Sequence, residues 1–241
     1  VTAVNCVLLV RDRPRLTRQT LDTLVKNTSG DYNVMIVDDA SGPDTQAIIA
    51  EFVRPNVRFI RFNEPVGIVG ALRNAGANSS EWTFGRGDWL YFSDNDVAFE
   101  AGWLEKMTHW LTAGERYAEI KALGGYRHPY HQYHDVFSDF HKDEHGRYDR
   151  DKDNVVLTDA VAGYSMLMRW STFEKYGPFD ANQKGVGASE DFAYCQRIIK
   201  DGGKVGYIHP PVLSHTGISN SDGKPAVGAE HFRRVEGVIY E

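Results

Sequence analysis

Asp94 and Asp96 stand one residue apart around Asn95, directly after the apolar run Trp89–Phe92. Like charges this close repel unless something offsets them. A divalent cation would do so, because carboxylates, phosphate and water oxygens suit magnesium or manganese. An acidic turn capping a helix has the same composition. Asp38 and Asp39 end a second apolar run. A carboxylate there either accepts hydrogen bonds from a ribose hydroxyl or a base N–H, or caps the helix that follows. Glu190 and Asp191 open a helix after Gly185-Val186-Gly187-Ala188-Ser189. They act there as caps on free N–H groups, or one of them takes a proton from an incoming hydroxyl. Arg73 sits among Gly67, Gly70, Asn74 and Gly76, where it would pair with a diphosphate or with a carboxylate such as Asp94. That segment is not GxGxxG and lacks a P-loop lysine, which argues against an NAD-binding unit. His215 is either a third protein ligand to manganese or a structural histidine.

These residues need strand ends and helix starts to position them. Val4–Val10, Asn33–Val37, Val57–Phe62 and Trp89–Phe92 read as strands. Between them lie a helix from Pro14, with Leu16, Leu21, Leu24 and Val25 as its apolar stripe, and a second from Pro43, with Ile48, Ile49 and Phe52. A third spans Gly67–Ala77, and Trp103, Leu104, Met107 and Leu111 mark a fourth. This alternation predicts an α/β fold with a mostly parallel sheet covered on both faces and joined by right-handed crossovers. Ligands bind such sheets beyond the C-terminal strand ends. Three of the four runs end in polar residues there: Arg11-Asp12, Asp38-Asp39 and Asp94-Asn95-Asp96.

The second half is less regular. Val155–Leu157, Ala160–Met168 and Lys204–Ile208 are β-like, and Ser171–Lys175 is a short helix. Asp191–Lys200 is a clearer helix, with Phe192, Cys195, Ile198 and Ile199 as its expected buried face. Residues 126–153 hold five of the nine histidines and four tyrosines, with no convincing period. They read as a long surface excursion or small lobe. The absence of cysteine there argues against zinc. The polar stretch 218–241 reads as a lid or flexible tail.

With 241 residues the chain suits one domain. Its formal net charge of -6 argues against non-specific binding to a phosphate backbone. Cys6 and Cys195 are the two cysteines, too few for a disulfide scaffold or a cysteine-rich zinc module. No apolar stretch approaches the roughly 18 residues of a membrane span. The expected location is cytoplasmic, or peripheral to a membrane.

Taken in order, the motifs VNCVLLVRDRPRLTRQTLDTL, VMIVDDASGPDT, VGIVGALRNAGANSS, WLYFSDNDVAF and GPFDANQKGVGASEDFAYCQRIIKDGGKVGYI resemble a GT-A fold glycosyltransferase of the family 2 type. The likeness runs from Val4 to about Gly217. It implies a single GT-A catalytic domain over 1–241, with a nucleotide-sugar-binding half at 1–98 and an acceptor-binding half at 99–217. It implies that Asp39 binds the donor nucleoside with support from Asp38, and that Arg73 lies near the diphosphate or orders the metal carboxylates. Asp94 and Asn95 would lie at the donor, with Asp94, Asp96 and His215 at a Mn2+ or Mg2+ ion. Asp191 would be the general base, with Glu190 on acceptor hydroxyls, and Gly163 and Ala162 would leave room beside the sugar. The implied reaction is metal-dependent transfer of one hexose from a nucleotide-diphosphate sugar, UDP-linked by preference. The acceptor hydroxyl belongs to a glycan, a lipid-linked sugar or a small molecule, and the sugar inverts.

Ala188-Ser189 stand where family members commonly have two glycines, and Ala193 where an acid often follows. The QxxRW-type motif of processive synthases is missing, which favours single transfer over polymer export. Two other readings stay open from the residues: a sugar nucleotidyltransferase, and a non-catalytic sugar- or protein-binding module. A DNA acceptor is disfavoured, although Arg127, Lys142, Arg147, Arg150 and Lys152 lie among the tyrosines of the excursion.

Overall fold

The computed structural model describes residues 3–112, 118–126, 154–182 and 190–215. The excursion beyond Tyr126, the Gly185–Ser189 loop and the tail after His215 lie outside the described residues.

The first half runs β1 (Val4–Val10), α1 (Pro14–Asn27), β2 (Tyr32–Asp38), α2 (Pro43–Phe52), β3 (Val57–Arg61), α3 (Val69–Phe84) and β4 (Trp89–Asp94). It continues with β5 (Val97–Phe99), α4 (Trp103–Thr112) and β6 (Ile120–Gly124). The second half contributes β7 (Asn154–Thr158), β8 (Ser165–Arg169), α5 (Trp170–Tyr176), α6 (Glu190–Lys200), β9 (Lys204–His209) and β10 (Leu213–His215). The large sheet has the order β3-β2-β1-β4-β8-β6-β9-β7. Its β3-β2-β1-β4 part is parallel throughout, as the alternation predicts. Beyond β4 the sheet is mixed: β8 is antiparallel to both β4 and β6, β9 is parallel to β6, and β7 antiparallel to β9.

Every residue of β1 is buried, which requires cover on both faces. Val4, Cys6, Leu8 and Val10 pack with Leu21, Leu24, Ile49, Trp103 and Met107 on one side. Val7 and Leu9 pack with Leu72, Ala77, Tyr194 and Ile198 on the other. The period-two alternation of a strand thus distributes one apolar run between two cores.

Three expectations need correction. The third helix begins later and ends later than Gly67–Ala77. Gly67 has φ +62, outside helical geometry, and the helix stops at Gly85 with φ +83. Gly76 is interior because α3 lies against β1 and β2: a Cβ there would sit 2.8 Å from Val37 Cγ2 and closer still to Val7 Cγ1. Only the second half of Ala160–Met168 is strand, since Ala160–Gly163 form an irregular approach to β8. On α6, Phe192 and Ile199 remain 41% and 37% exposed while Tyr194, Cys195 and Ile198 are buried. The helix is covered on one side only, and its apolar stripe is wider than that contact. β5, β6 and β10 are too short or too mixed in composition to read from sequence.

Candidate functional site

The parallel register brings the ends of β1, β2 and β4 together. Leu9 pairs with Val37 on one side and with Asp94 on the other. The chain beyond each end therefore gathers in one place.

At the end of β2 the two aspartates differ sharply. Asp38 is fully buried and accepts from the Ser41 backbone N–H (2.9 Å) and from Arg61 Nε (2.6 Å). It braces the turn into α2. Asp39 accepts from the N–H groups of Val66 (2.6 Å) and Gly67 (3.3 Å), and lies 3.4 Å from Arg11 Nη1. It ties the approach to α3 to the end of β2.

At the end of β4, Arg73 is the hub. Its side chain is only 2% exposed. Nη2 reaches Asp94 Oδ1 (3.2 Å), Nε reaches Glu190 Oε1 (3.3 Å) and Nη1 donates to the Gly163 carbonyl (2.8 Å). One planar guanidinium therefore joins β4, the turn before β8 and the start of α6, as a rigid fork of donors permits. Burial opposes the cation, but Asp94, Glu190 and Asp191 outweigh it and hold the Arg73 pKa above its ordinary value. Burial raises the Asp94 carboxyl; Arg73 counters this, and the neighbouring charge of Asp96 adds to it. Glu190 is likewise raised by burial, opposed by Arg73 and reinforced by Asp191.

Gly163 has a role that the family resemblance did not assign. A Cβ there would lie 2.7 Å from Arg73 Cζ. The absent side chain makes room for the guanidinium. The Gly163 N–H donates to Asp191 Oδ2 (2.8 Å), and Asp191 Oδ1 accepts from Phe192 N (2.7 Å). Asp191 is half-buried and Glu190 buried. The two adjacent acids thus face different surroundings.

Asp96 accepts from Arg13 Nη1 (2.7 Å) and lies with Oδ1 3.2 Å from His215 Nε2. Burial works against its charge, but the hydrogen bond and charge of His215 and the charge of Arg13 prevail and hold its pKa low. His215 reaches this position because β10 pairs antiparallel with β5, setting His215 opposite Val97. Its ring stacks on Tyr164 at 4.1 Å between centroids. A carboxylate and an imidazole thus meet at the strand end, a donor pair suited to manganese. Asp94, the third expected ligand, is engaged by Arg73. Among the described residues, no three His, Cys, Asp or Glu side chains stand in metal-binding geometry. The donor chemistry fits a divalent cation, with two of the three donors already in contact.

Asn95 comes to the same turn but points into α1. Its amide donates to the Asp12 carbonyl (3.0 Å) and to Thr17 Oγ1 (2.7 Å). It anchors the turn to α1, so the structure gives this residue a bracing contact rather than one with the other candidates. Arg13 escaped the sequence reading. The signal available was its position just past β1, among the polar strand ends; its partner lies 83 residues away.

A profile for glycosyl transferase family 2 matches residues 6–175. The chain belongs to that family. The match spans β1 to α5 and includes Asp39, Arg73, Asp94 and Asp96. Solved structures agree on the GT-A fold. A structure of GalNAc-T7 with UDP, GalNAc and Mn2+ superposes with TM-score 0.69 at 16% identity, over 89% of this chain and 44% of that one. The mannosyltransferase PcManGT from Pyrobaculum calidifontis, in complex with GDP-Man and Mn2+, gives 0.64 at 18% identity, over 95% and 59%. S. aureus TarS gives 0.64 at 12% identity, over 90% and 37%. This family 2 chain therefore spans between about a third and three-fifths of those proteins' lengths. No curated protein matches it. Among the described residues no helix is long and apolar enough to cross a membrane.

Proposed function

We propose that this family 2 chain is a metal-dependent glycosyltransferase that moves one hexose from a nucleotide-diphosphate sugar to an acceptor hydroxyl. The observation that carries the reading is the convergence of Asp94, Asp96, His215, Arg73, Glu190 and Asp191 beyond the end of β4. Donor binding belongs to residues 1–98 and acceptor binding to 99–217. Asp39 binds the donor nucleoside, braced by Asp38, and releasing Val66 and Gly67 would free its oxygens for that role.

Asp96 and His215 would hold the metal, with Asp94 beside them; Mn2+ and Mg2+ both suit this set. A bound ion would supply positive charge against the charge that builds on the departing diphosphate. Of the two roles open to Arg73, ordering the carboxylates is supported by its contacts to Asp94 and Glu190, with the Gly163 carbonyl fixing the guanidinium. Glu190, held on Arg73, is a positioning residue. That leaves the half-buried Asp191 as the general base, oriented by the Gly163 and Phe192 N–H groups. It takes the acceptor proton as the hydroxyl oxygen bonds the anomeric carbon and the bond to the diphosphate oxygen breaks. Attack from the face opposite the leaving group inverts the sugar.

A UDP-sugar is the favoured donor. The acceptor is a glycan, a lipid-linked sugar or a small hydroxylated molecule, met in the cytoplasm or at a membrane surface. The test is calorimetric titration of UDP, GDP and dTDP, with and without Mn2+. Binding of one nucleotide that needs the metal supports the proposal and names the donor class. Failure of all three to bind a folded sample would overturn it.

A further inference from the structure

Arg13 has an unusual setting. It has φ +55, in the left-handed region, and so has its neighbour Asp12 at φ +52. Neither is glycine, and Pro14 follows, which disfavours helical geometry in the residue before it. Such backbone persists only where surroundings over-determine it. Here they do. Asp12 N donates to Ser41 Oγ (2.9 Å), and Asp12 Oδ1 accepts from Gly42 N (2.8 Å). The Asp12 carbonyl accepts from Thr17 Oγ1 (3.0 Å) and Asn95 Nδ2 (3.0 Å). Three bonds to its backbone atoms and one to the Asp12 side chain clamp this bend. The clamp aims the Arg13 side chain at Asp96, where Nη1 makes a 2.7 Å bond to Oδ2. The Arg13 side chain is 25% exposed while the Asp96 side chain is 9% exposed, so the cation reaches inward from an open side.

We propose that Arg13 is a built-in substitute cation on Asp96, one that leaves Oδ2 when a divalent ion arrives and turns to the donor's diphosphate. The inference rests on the metal site proposed above. Asp96 is a buried carboxylate whose charge also bears on the partly exposed Asp94, and a buried charge needs a counter-ion. A guanidinium meets that need in the metal-free protein. It also occupies an oxygen that the metal would use, so metal alone binds weakly. Diphosphate offers Arg13 a replacement anion of matching geometry. Metal and nucleotide then bind cooperatively, each tightening the other by the same factor. Because the backbone is clamped, the exchange needs only the Arg13 side-chain torsions to change.

The experiment is Mn2+ binding, followed by the electron paramagnetic resonance of free Mn2+, in wild type, Arg13→Gln and Arg13→Lys, without and with UDP, GDP and dTDP together. A charge-assisted hydrogen bond is lost in Arg13→Gln, so Mn2+ alone should bind about tenfold tighter or more than in wild type. The gain from adding nucleotide should shrink by the same factor. Arg13→Lys keeps the cation and should stay near wild type. If Arg13→Gln, shown folded by circular dichroism, binds Mn2+ no tighter, the inference is overturned while the metal site stands. Equal tightening in both variants also overturns it, because charge would not be the cause. Absence of Mn2+ binding in wild type even with nucleotide would overturn the inference and the metal reading together.

Discussion

Replacing Arg73 by methionine removes the one cation that three elements share, and the size of the loss follows from its contacts. Arg73 is buried and bridges Asp94 at 3.2 Å and Glu190 at 3.3 Å, with a 2.8 Å bond to the Gly163 carbonyl. Methionine keeps part of the side-chain volume but leaves the carboxylates facing each other without a counter-charge. Breaking the buried Arg73–Glu190 pair costs about 3–5 kcal/mol, and the loss at Asp94, whose side chain is 35% exposed, is smaller because water screens it. The cost should depend on pH. Burial already raises both carboxyls above their ordinary values, and Arg73 is what opposes the rise. Without it their folded-state values climb further. A group raised on folding favours the folded state below its unfolded pKa and loses that contribution as pH rises through its folded pKa. The gap between variant and wild type should thus be smallest near about pH 4, where both carboxyls take up protons, and widest above neutrality. Urea unfolding followed by tryptophan fluorescence at several pH values reads this gap from the midpoints, provided the slopes agree. Arg73→Lys should recover less than half of the loss, since one ammonium cannot replace three donors set in a plane. A gap below about 1 kcal/mol at neutral pH, the size of an exposed pair, would refute the hub role. So would a large gap that ignores pH.

Asp191→Asn should leave nucleotide binding intact and slow transfer by about 10²–10⁴-fold, as loss of a general base does; full turnover would sink the base assignment. Gly76→Ala should lower stability by about 1–3 kcal/mol, because its Cβ has no space against Val7 and Val37. An unchanged urea midpoint would mean that α3 sits further from the sheet. Burial pushes the Cys6 thiol up to about 12 and raises Cys195 as well. Neither should react with a thiol reagent at mildly alkaline pH until denaturant is added, because the thiolate is the reactive form. Rapid labelling of the native protein would contradict that burial.

Local pattern carried the first half of this protein. β1 spans Val4–Val10 as its apolar run predicts, and α1 starts at Pro14, where a missing N–H costs nothing. Parallel pairing of β3, β2, β1 and β4 follows from the strand–helix alternation, as does the gathering of polar residues at their ends. The spacing of two and 3.6 residues is written in the chain itself, so it is legible without a partner. The ordered motifs around Asp39, Asp94 and Asp191 were equally visible, because each lies on one short segment.

Contacts between distant segments were not legible in that way. The Arg73–Glu190 pair spans 117 residues and the Arg13–Asp96 pair 83. Nothing near Asp38 says that Arg61 will brace it while Asp39 is left with backbone donors and Arg11. Nothing near Gly163 says that a guanidinium will fill the space its missing Cβ leaves. The residue types at the site are a property of the sequence. Which carboxylate is buried, which cation neutralises it and which acid stays partly exposed are decided only by folding, because charge interactions depend on distance and burial rather than on order along the chain.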